Sequence, residues 1–190
     1  LSSHDWMVGD HWTDMQCATN AGVKGAFCTF GFGQLRDARC TVKLNRMEEL
    51  LRRLRPVLAG RTDSFVLVSM AAGLTVAALQ RMAGGSYPVM RIMPNTACAV
   101  GEGMTLLTCS DEVTQAQRQA VLSALSASGL VEEMSESLID AGSAVAGCGG
   151  AFACLFLEGL ADGGVLCGLP RDKAQRMAAQ MLLGAAKLAL

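Results

Sequence analysis

The sequence predicts an α/β fold in which a partial parallel sheet comes first and helices alone follow. Between residues 41 and 134, short apolar runs alternate with amphipathic helical patterns, as in parallel strands joined by crossover helices. After Ser135 only helical patterns remain. A chain of 190 residues, 51% of them hydrophobic, can bury a core under such a sheet.

Charge and cysteine usage favour a soluble, cytoplasmic enzyme. A formal net charge of −1 lacks the basic excess that nucleic-acid binding requires, and no anionic membrane is an obvious partner. The uncharged stretch Ala141 to Leu157 is shorter than the roughly 20 residues of a membrane span. The eight cysteines form no Cys-x-x-Cys pair and the two histidines are His4 and His11, so we expect reduced thiols.

Two carboxylates stand four residues apart near the beginning of the sequence. Asp10 and Asp14 follow a short apolar strand at the opening of a predicted helix, where this spacing places both on one side. Such a pair suits an octahedral Mg²⁺ that keeps several waters. The alternative is a helix cap, in which Asp10 or Thr13 satisfies free backbone N–H groups. A strand over Gly25 to Phe30 follows this helix.

The run Gly31-Phe32-Gly33 comes after that strand but does not continue as a dinucleotide-binding fingerprint. The third glycine of Gly-x-Gly-x-x-Gly would fall at position 36, which is Arg36. Close packing of helix on strand needs that glycine, so we reject the match. No other segment carries the fingerprint.

An amphipathic helix and a buried strand come next. Apolar residues recur at helical spacing from Met47 to Leu58, with opposite charges four apart on the exposed side. Phe65 to Val68 is a continuous apolar run, typical of a parallel strand covered on both faces. Ala71 and Gly73 then turn the chain into a helix that begins near Leu74. Small residues at this turn either let a ligand approach or simply permit a tight turn.

A further strand, Pro88 to Met93, leads into Pro94 and Asn95. In open α/β sheets ligands bind beyond the carboxyl ends of strands, so this loop is a candidate nucleotide site. The alternative is an ordinary strand exit. Met104 to Cys109 and Leu130 to Met134 complete the predicted sheet.

The helix between the last two strands has a predicted cap. Ser110 is placed as its N-cap, and Asp111 and Glu112 fall in the first turn, where acids suit the helix dipole. Gly129 ends it.

Three helices are predicted in the remaining segment, over Ser137 to Val145, Gly150 to Cys167 and Pro170 to Leu190. The last begins with proline in its first turn and carries an apolar stripe. Gly147, Cys148, Gly149 and Gly150 precede the middle helix, so free backbone N–H groups at its start could bind a carboxylate. The alternative is a glycine-rich connection with no ligand.

Three motifs in order carry a resemblance to a known family. The run Arg91 to Gly103, the segment 140–150 and the segment 158–172, with its Gly-Leu-Pro-Arg-Asp, closely resemble pyrroline-5-carboxylate reductase. The resemblance spans about residues 42–190. It implies a partial Rossmann-like NAD(P)-binding domain over 42–134 and a truncated helical dimerisation domain over 135–190, which in this family forms a homodimer or a higher homo-oligomer.

The same resemblance implies an activity and a site. The family reduces 1-pyrroline-5-carboxylate to L-proline with NADPH or NADH. The residues that match its cofactor side are Lys43, Ala71, Gly73, Met93, Pro94 and Asn95. The residues that match its substrate loop are Gly147, Cys148, Gly149 and Gly150, where Gly150 replaces the proline that is usual in the family.

Residues 1–41 are similar to another family. Asp10 and Asp14 with the strand that follows resemble the last acidic motif of the haloacid dehalogenase-like phosphatases, which implies a C-terminal remnant whose Mg²⁺ site is a relic. Three functions therefore stand: a reductase by lineage, a non-catalytic helical association fragment and a magnesium-dependent phosphatase remnant. We rank the reductase first and, without the fingerprint, expect these 190 residues alone to be inactive.

Overall fold

The computed structural model describes the backbone of residues 6–9, 12–20, 22, 24–28, 35–36, 38–44 and 47–190. Before residue 49 only some side chains are included. The chain divides into two compact units, Leu1–Leu67 with Leu74–Val89 and Val68–Gly73 with Met90–Leu190. The predicted boundaries at residues 41 and 134 concern lineage, and they stay a prediction.

The first unit contains a three-stranded parallel sheet. Its elements are β1 (Trp6–Gly9), α1 (Trp12–Asn20), β2 (Lys24–Cys28) and β3 (Val42–Leu44), and the strand order is β1-β2-β3. Ala26 of β2 is in register with Val42 of β3, so segments from both sides of residue 41 share one sheet. The run Gly31 to Gly33 lies outside the described residues.

Two helices of this unit pack on each other and enclose a small core. They are α2 (Met47–Ala59) and α3 (Val76–Ala83), and the core consists of Leu51, Leu79 and Val89. Helix α3 begins after Thr75, whose hydroxyl accepts a hydrogen bond from the Ala78 amide at 3.2 Å. It ends at Gly84, where a φ of +88° requires glycine.

The second sheet has four strands in the order β4-β5-β6-β7. These are β4 (Leu67–Ser69), β5 (Val89–Met93), β6 (Gly103–Cys109) and β7 (Gly129–Glu133), and α4 (Gln115–Leu125) joins the last two. Strands β6 and β7 are parallel, as the strand-helix-strand pattern predicts. Each strand lies within two residues of its predicted range.

One strand pair departs from the predicted parallel sheet. Strands β5 and β6 are antiparallel, with Arg91 opposite Thr108 and Met93 opposite Leu106. The connection between them runs only from residue 94 to 102 and contains a 3₁₀ turn, Thr96–Val100. A parallel crossover needs roughly a dozen residues or more, so this connection is too short for one. The sheet is therefore mixed.

The cap of α4 also differs from its prediction. Ser110 is not the N-cap, because residues 110–113 form a turn in which the Val113 amide donates to the Ser110 carbonyl at 3.1 Å. Thr114 is the cap, and it forms a capping box with Gln117. Asp111 and Glu112 therefore precede the helix.

The helical region is more continuous than predicted. One helical run extends over Glu136–Leu166 and comprises a 3₁₀ turn (Glu136–Leu138), α5 (Ile139–Ser143), a π turn (Ala144–Cys148) and α6 (Gly149–Leu166). Helix α7 (Arg171–Ala189) follows, with Pro170 at its N-cap rather than in its first turn. Helices α6 and α7 pack through three small buried residues, Ala161, Ala174 and Ala178.

This run of 31 residues is long and apolar enough to cross a membrane, and it is the one helix among the described residues that is. Of its most apolar part, 6% is buried. The predicted break between Val145 and Gly150 is absent, so the helical run is longer than the uncharged stretch Ala141 to Leu157 within it. A single helix of this kind is weak evidence for a membrane, because only its length and composition point to one.

Candidate functional site

The loop after β5 is fixed by the side chain of Asn95. Pro94 and Asn95 are half-buried, and the 3₁₀ turn behind them ends at Gly101, with a φ of +75°. The side-chain oxygen of Asn95, Oδ1, accepts a hydrogen bond from the backbone amide of Met104 at 3.2 Å. The loop is therefore tied back to the beginning of β6.

The same side chain reaches the helical run. The nitrogen of its amide, Nδ2, donates to the carbonyl of Ala146, 51 residues away, at 2.8 Å. Ala146 lies in the π turn, immediately before Gly147. The structure therefore brings together the two loops that the sequence predicts for cofactor and substrate, and both lie in the second unit.

The glycine turn, defined here as residues Gly147 to Gly150, presents an open surface. A Cβ atom built on Gly147, Gly149 or Gly150 would meet no heavy atom within 4 Å, and Cys148 is exposed. A ligand can therefore approach the backbone at these positions without displacing protein atoms.

The sequence suggested a free loop before the glycine turn, but the structure has no loop there. Residues up to Cys148 belong to the π turn, and α6 begins directly at Gly149. Such π turns inside α-helices occur frequently at functional sites. The glycine turn therefore lies at a change of helical bonding rather than at an open helix end.

Arg91 lies in β5, three residues before Pro94, and sequence reasoning gave it no role. It is 3% exposed in the middle of β5. Its guanidinium faces two carboxylates at the start of the helical run, with Nη1 3.5 Å from Glu136 Oε1 and Nη2 3.4 Å from Asp140 Oδ1. A single charge inside an apolar strand is the signal that could have identified it, since such charges need partners.

Small residues follow β4, the neighbour of β5. The Ala71 amide donates to the Ser69 hydroxyl at 3.2 Å, and Gly73 has a φ of +74° with open space where a side chain would be. These positions leave room for a ligand at the exit of a strand. Met93, half-buried at the end of β5, adds an apolar surface.

The structure describes only some of the remaining predicted site residues. Lys43 lies in β3 of the first unit and is exposed. Asp10 lies outside the described residues, and Asp14 lies in α1 with its side chain outside them. Among the side chains that the structure covers, no group of three His, Cys, Asp or Glu residues could hold a metal ion.

The six cysteines whose side chains the structure describes form no disulfide. Cys98 lies within the site loop, with its sulfur 3.7 Å from the Thr105 hydroxyl. Burial raises the pKa of the Cys109 thiol, and the charge of Glu133 raises that pKa further. A raised pKa disfavours the thiolate, which is the nucleophilic form of cysteine.

Known proteins resemble this chain at two levels. Residues 136–190 match a family model described as pyrroline-5-carboxylate reductase dimerisation. The chain is 42% identical over 127 residues to pyrroline-5-carboxylate reductase 3 of Danio rerio, a match that covers 67% of the chain and 44% of the relative. It is 41% identical over 142 residues to a pyrroline-5-carboxylate reductase of Synechocystis, covering 74% of the chain and 52% of the relative. The chain thus spans about half the length of these relatives.

Solved structures show the same fold. A Plasmodium falciparum pyrroline carboxylate reductase with NADP bound superposes with a TM-score of 0.72 at 24% identity, covering 96% of this chain and 77% of the other. A Coxiella burnetii pyrroline-5-carboxylate reductase gives a TM-score of 0.74 at 21% identity, covering 99% and 80%. The matches support the reductase family, whereas the haloacid dehalogenase-like tail stays a prediction.

Proposed function

We propose that this chain is part of a pyrroline-5-carboxylate reductase and that its second unit provides the place where the cyclic imine meets the cofactor. The observation that carries the proposal is the hydrogen bond from Asn95 to Ala146, 2.8 Å long, because it joins the two predicted loops. The matched relatives and the dimerisation family model support the same assignment.

The glycine turn is the proposed anchor for the substrate. Backbone amides of Gly147, Gly149 and Gly150 are the donors we assign to the carboxylate shared by 1-pyrroline-5-carboxylate and L-proline. Glycine suits this role, since each position is open and a side chain would separate the backbone from the anion.

The loop Met93 to Asn95 and the turn at Ala71 and Gly73 are the proposed cofactor side. NADPH or NADH supplies the hydride when bound, and the difficult chemistry belongs to the cofactor. The protein's task is to hold the imine carbon in line with that hydride and to keep the ring in place. Half-buried Met93 and Pro94 offer a rigid apolar surface for this task.

Homodimer formation is part of the proposal. Large apolar side chains are exposed along the helical run and α7, among them Val145, Phe152, Leu155, Phe156, Leu166, Met177 and Leu188. Exposed apolar surface of this extent marks an interaction site. The dimerisation family model covers these same helices, so a second copy of the chain is the proposed partner.

Binding of L-proline tests the proposal. We expect L-proline to bind the chain in isothermal titration calorimetry and pyrrolidine, which lacks the carboxylate, to bind much more weakly. Imine-dependent oxidation of NADPH is the second measurement, with NADH for comparison. If a folded chain neither binds L-proline nor oxidises either cofactor in the presence of the imine, the proposal is wrong.

A second candidate is a non-catalytic association fragment. The exposed apolar side chains of α6 and α7 favour it independently of the site. It predicts dimers that bind neither L-proline nor NADPH, so the same titrations distinguish it from the reductase.

A further inference from the structure

We infer that Asn95 is a positioning residue: its side-chain amide holds the π turn and thereby sets the direction of the backbone amides in the glycine turn. The identity of the ligand in this inference rests on the proposed function. The effect of Asn95 on the conformation of the π turn does not, and it can be tested without any ligand.

Both polar atoms of the Asn95 side chain are used within the protein. Nδ2 donates to the Ala146 carbonyl at 2.8 Å, and Oδ1 accepts from the Met104 amide at 3.2 Å. One side chain therefore connects its own loop, the start of β6 and the π turn. The amide provides a donor and an acceptor on two separate atoms, whereas a carboxylate has no donor and an apolar side chain has neither.

The acceptor lies within the π turn. In a regular α-helix the Ala146 carbonyl would bond an amide four residues later, but it belongs to a turn with i→i+5 bonding. The same carbonyl accepts a hydrogen bond from Asn95. We expect the loss of that bond to favour conversion of the π turn into regular α-helix, because the irregular turn would then have lost its partner outside the helix.

Conversion of the π turn into regular α-helix would reorient the glycine turn. The conversion changes the hydrogen-bonding register by one residue, and one residue corresponds to about 100° of rotation around the helix axis. The segment before the turn cannot rotate instead, because a Cβ on Gly142 would lie only 2.7 Å from Leu106 of β6. The rotation therefore falls on α6 together with α7, which packs against it, and Gly147, Gly149 and Gly150 themselves have open surroundings.

Amide hydrogen exchange tests the conformational part. Asn95→Asp keeps the acceptor for Met104 and removes the donor to Ala146. We expect exchange in peptides covering residues 144–152 to rise roughly three- to tenfold, the effect of one net hydrogen bond. Peptides of α4 should be unchanged. The matched control is Asn20→Asp, which makes the same chemical change at an exposed residue of α1 and should leave residues 144–152 unaffected.

Unchanged exchange over residues 144–152 in folded Asn95→Asp overturns the inference. If that variant does not fold, the wild-type chain decides by NMR. Slow exchange of the Asn95 side-chain NH₂ protons, with nuclear Overhauser contacts to Ala146, supports the inference. Fast exchange without those contacts overturns it.

L-proline binding separates this inference from the proposed function. We expect folded Asn95→Asp to bind L-proline about tenfold more weakly than the wild type, a loss of roughly 1.4 kcal/mol. A wild-type chain that does not bind L-proline counts against the proposed function, and the exchange result then decides on Asn95 alone. Equal affinity of wild type and variant overturns the inference.

Discussion

Arg91 places a charge in the interior of the second unit. The two carboxylates that pair with it are much more exposed to solvent than the Arg91 side chain. The Arg91 side chain is 4% exposed, whereas those of Glu136 and Asp140 are 32% and 90% exposed. Its Nε atom is buried without a hydrogen-bond partner. Burial of a guanidinium is tolerable only while acceptors remain nearby, so the ion pairs hold the start of the helical run on β5.

We predict that Glu136→Gln with Asp140→Asn lowers the free energy of unfolding by about 3 kcal/mol, because it leaves Arg91 buried without a carboxylate. Each single substitution should cost less than half of this, since one carboxylate remains. Urea denaturation measures the difference. Asp162→Asn is the control, because its pair with Arg171 is exposed on both sides and should contribute at most about 0.5 kcal/mol. A double variant as stable as the wild type would contradict the role given to Arg91.

Gly149 allows stability and binding to be separated. Its φ of −55° and ψ of −34° suit any residue, and nothing lies within 4 Å of an added Cβ. Gly149→Ala should therefore raise the free energy of unfolding by about 0.5–1 kcal/mol through the unfolded state. The same methyl group would stand on the proposed carboxylate site and weaken binding of L-proline.

Thermal unfolding and calorimetric titration of Gly149→Ala measure both effects. Gly159→Ala is the matched control, since its Cβ also meets open space in α6. It should stabilise the chain equally and leave L-proline binding unchanged. Undiminished binding in Gly149→Ala would exclude the glycine turn as the anchor.

At the scale of elements, the capping box of α4 gives a direct test of where that helix begins. Thr114 accepts from the Gln117 amide at 3.3 Å, and the Gln117 side chain accepts from the Thr114 amide at 2.9 Å. Thr114→Ala should cost about 1 kcal/mol of stability in urea denaturation. Asp111→Asn should change stability by less than about 0.5 kcal/mol, because Asp111 precedes the helix and is exposed. If Asp111→Asn cost more stability than Thr114→Ala, the result would favour the predicted N-cap, Ser110.

The strands and helices of the second unit could largely be predicted from the sequence. The strands β5, β6 and β7 lie where short strand-like runs between helical patterns indicated them. The antiparallel pairing of β5 and β6 was also within reach, because the connecting segment 94–102 is too short for a crossover.

Other features depend on contacts that no local pattern contains. The π turn is stabilised by Asn95, 51 residues earlier, so glycine-rich composition alone suggested a break that the helix does not have. The partners of Arg91 are 45 and 49 residues away. For the site, the sequence indicated the loop at Pro94 and the glycine turn, while the side chains that join them required the structure.

For the whole molecule, the exposed apolar surface of α6 and α7 determines what the chain does in solution. Phe152 and Phe156 are 70% and 57% exposed, and side chains of this size contribute strongly to interfaces. We predict a concentration-dependent dimer in sedimentation equilibrium, which Phe156→Glu converts to a monomer. Leu130→Glu is the control, because Leu130 is 61% exposed on β7, outside the helical region, and should leave the dimer intact.

The apparent stability of the wild type should then rise with protein concentration, because association stabilises the folded state by mass action. In Phe156→Glu this dependence should disappear. A wild-type chain that remains monomeric over the accessible concentration range contradicts the proposed partner.

The central claim is that the glycine turn beside Asn95 holds the substrate carboxylate. An NMR titration of the chain with L-proline tests it most directly, through the backbone amide signals of Gly147, Gly149 and Gly150. The account predicts saturable shifts of these three signals and of the Asn95 side-chain NH₂, and no comparable shifts with pyrrolidine. Shifts confined to other parts of the chain, or none at all in a folded protein, would contradict it.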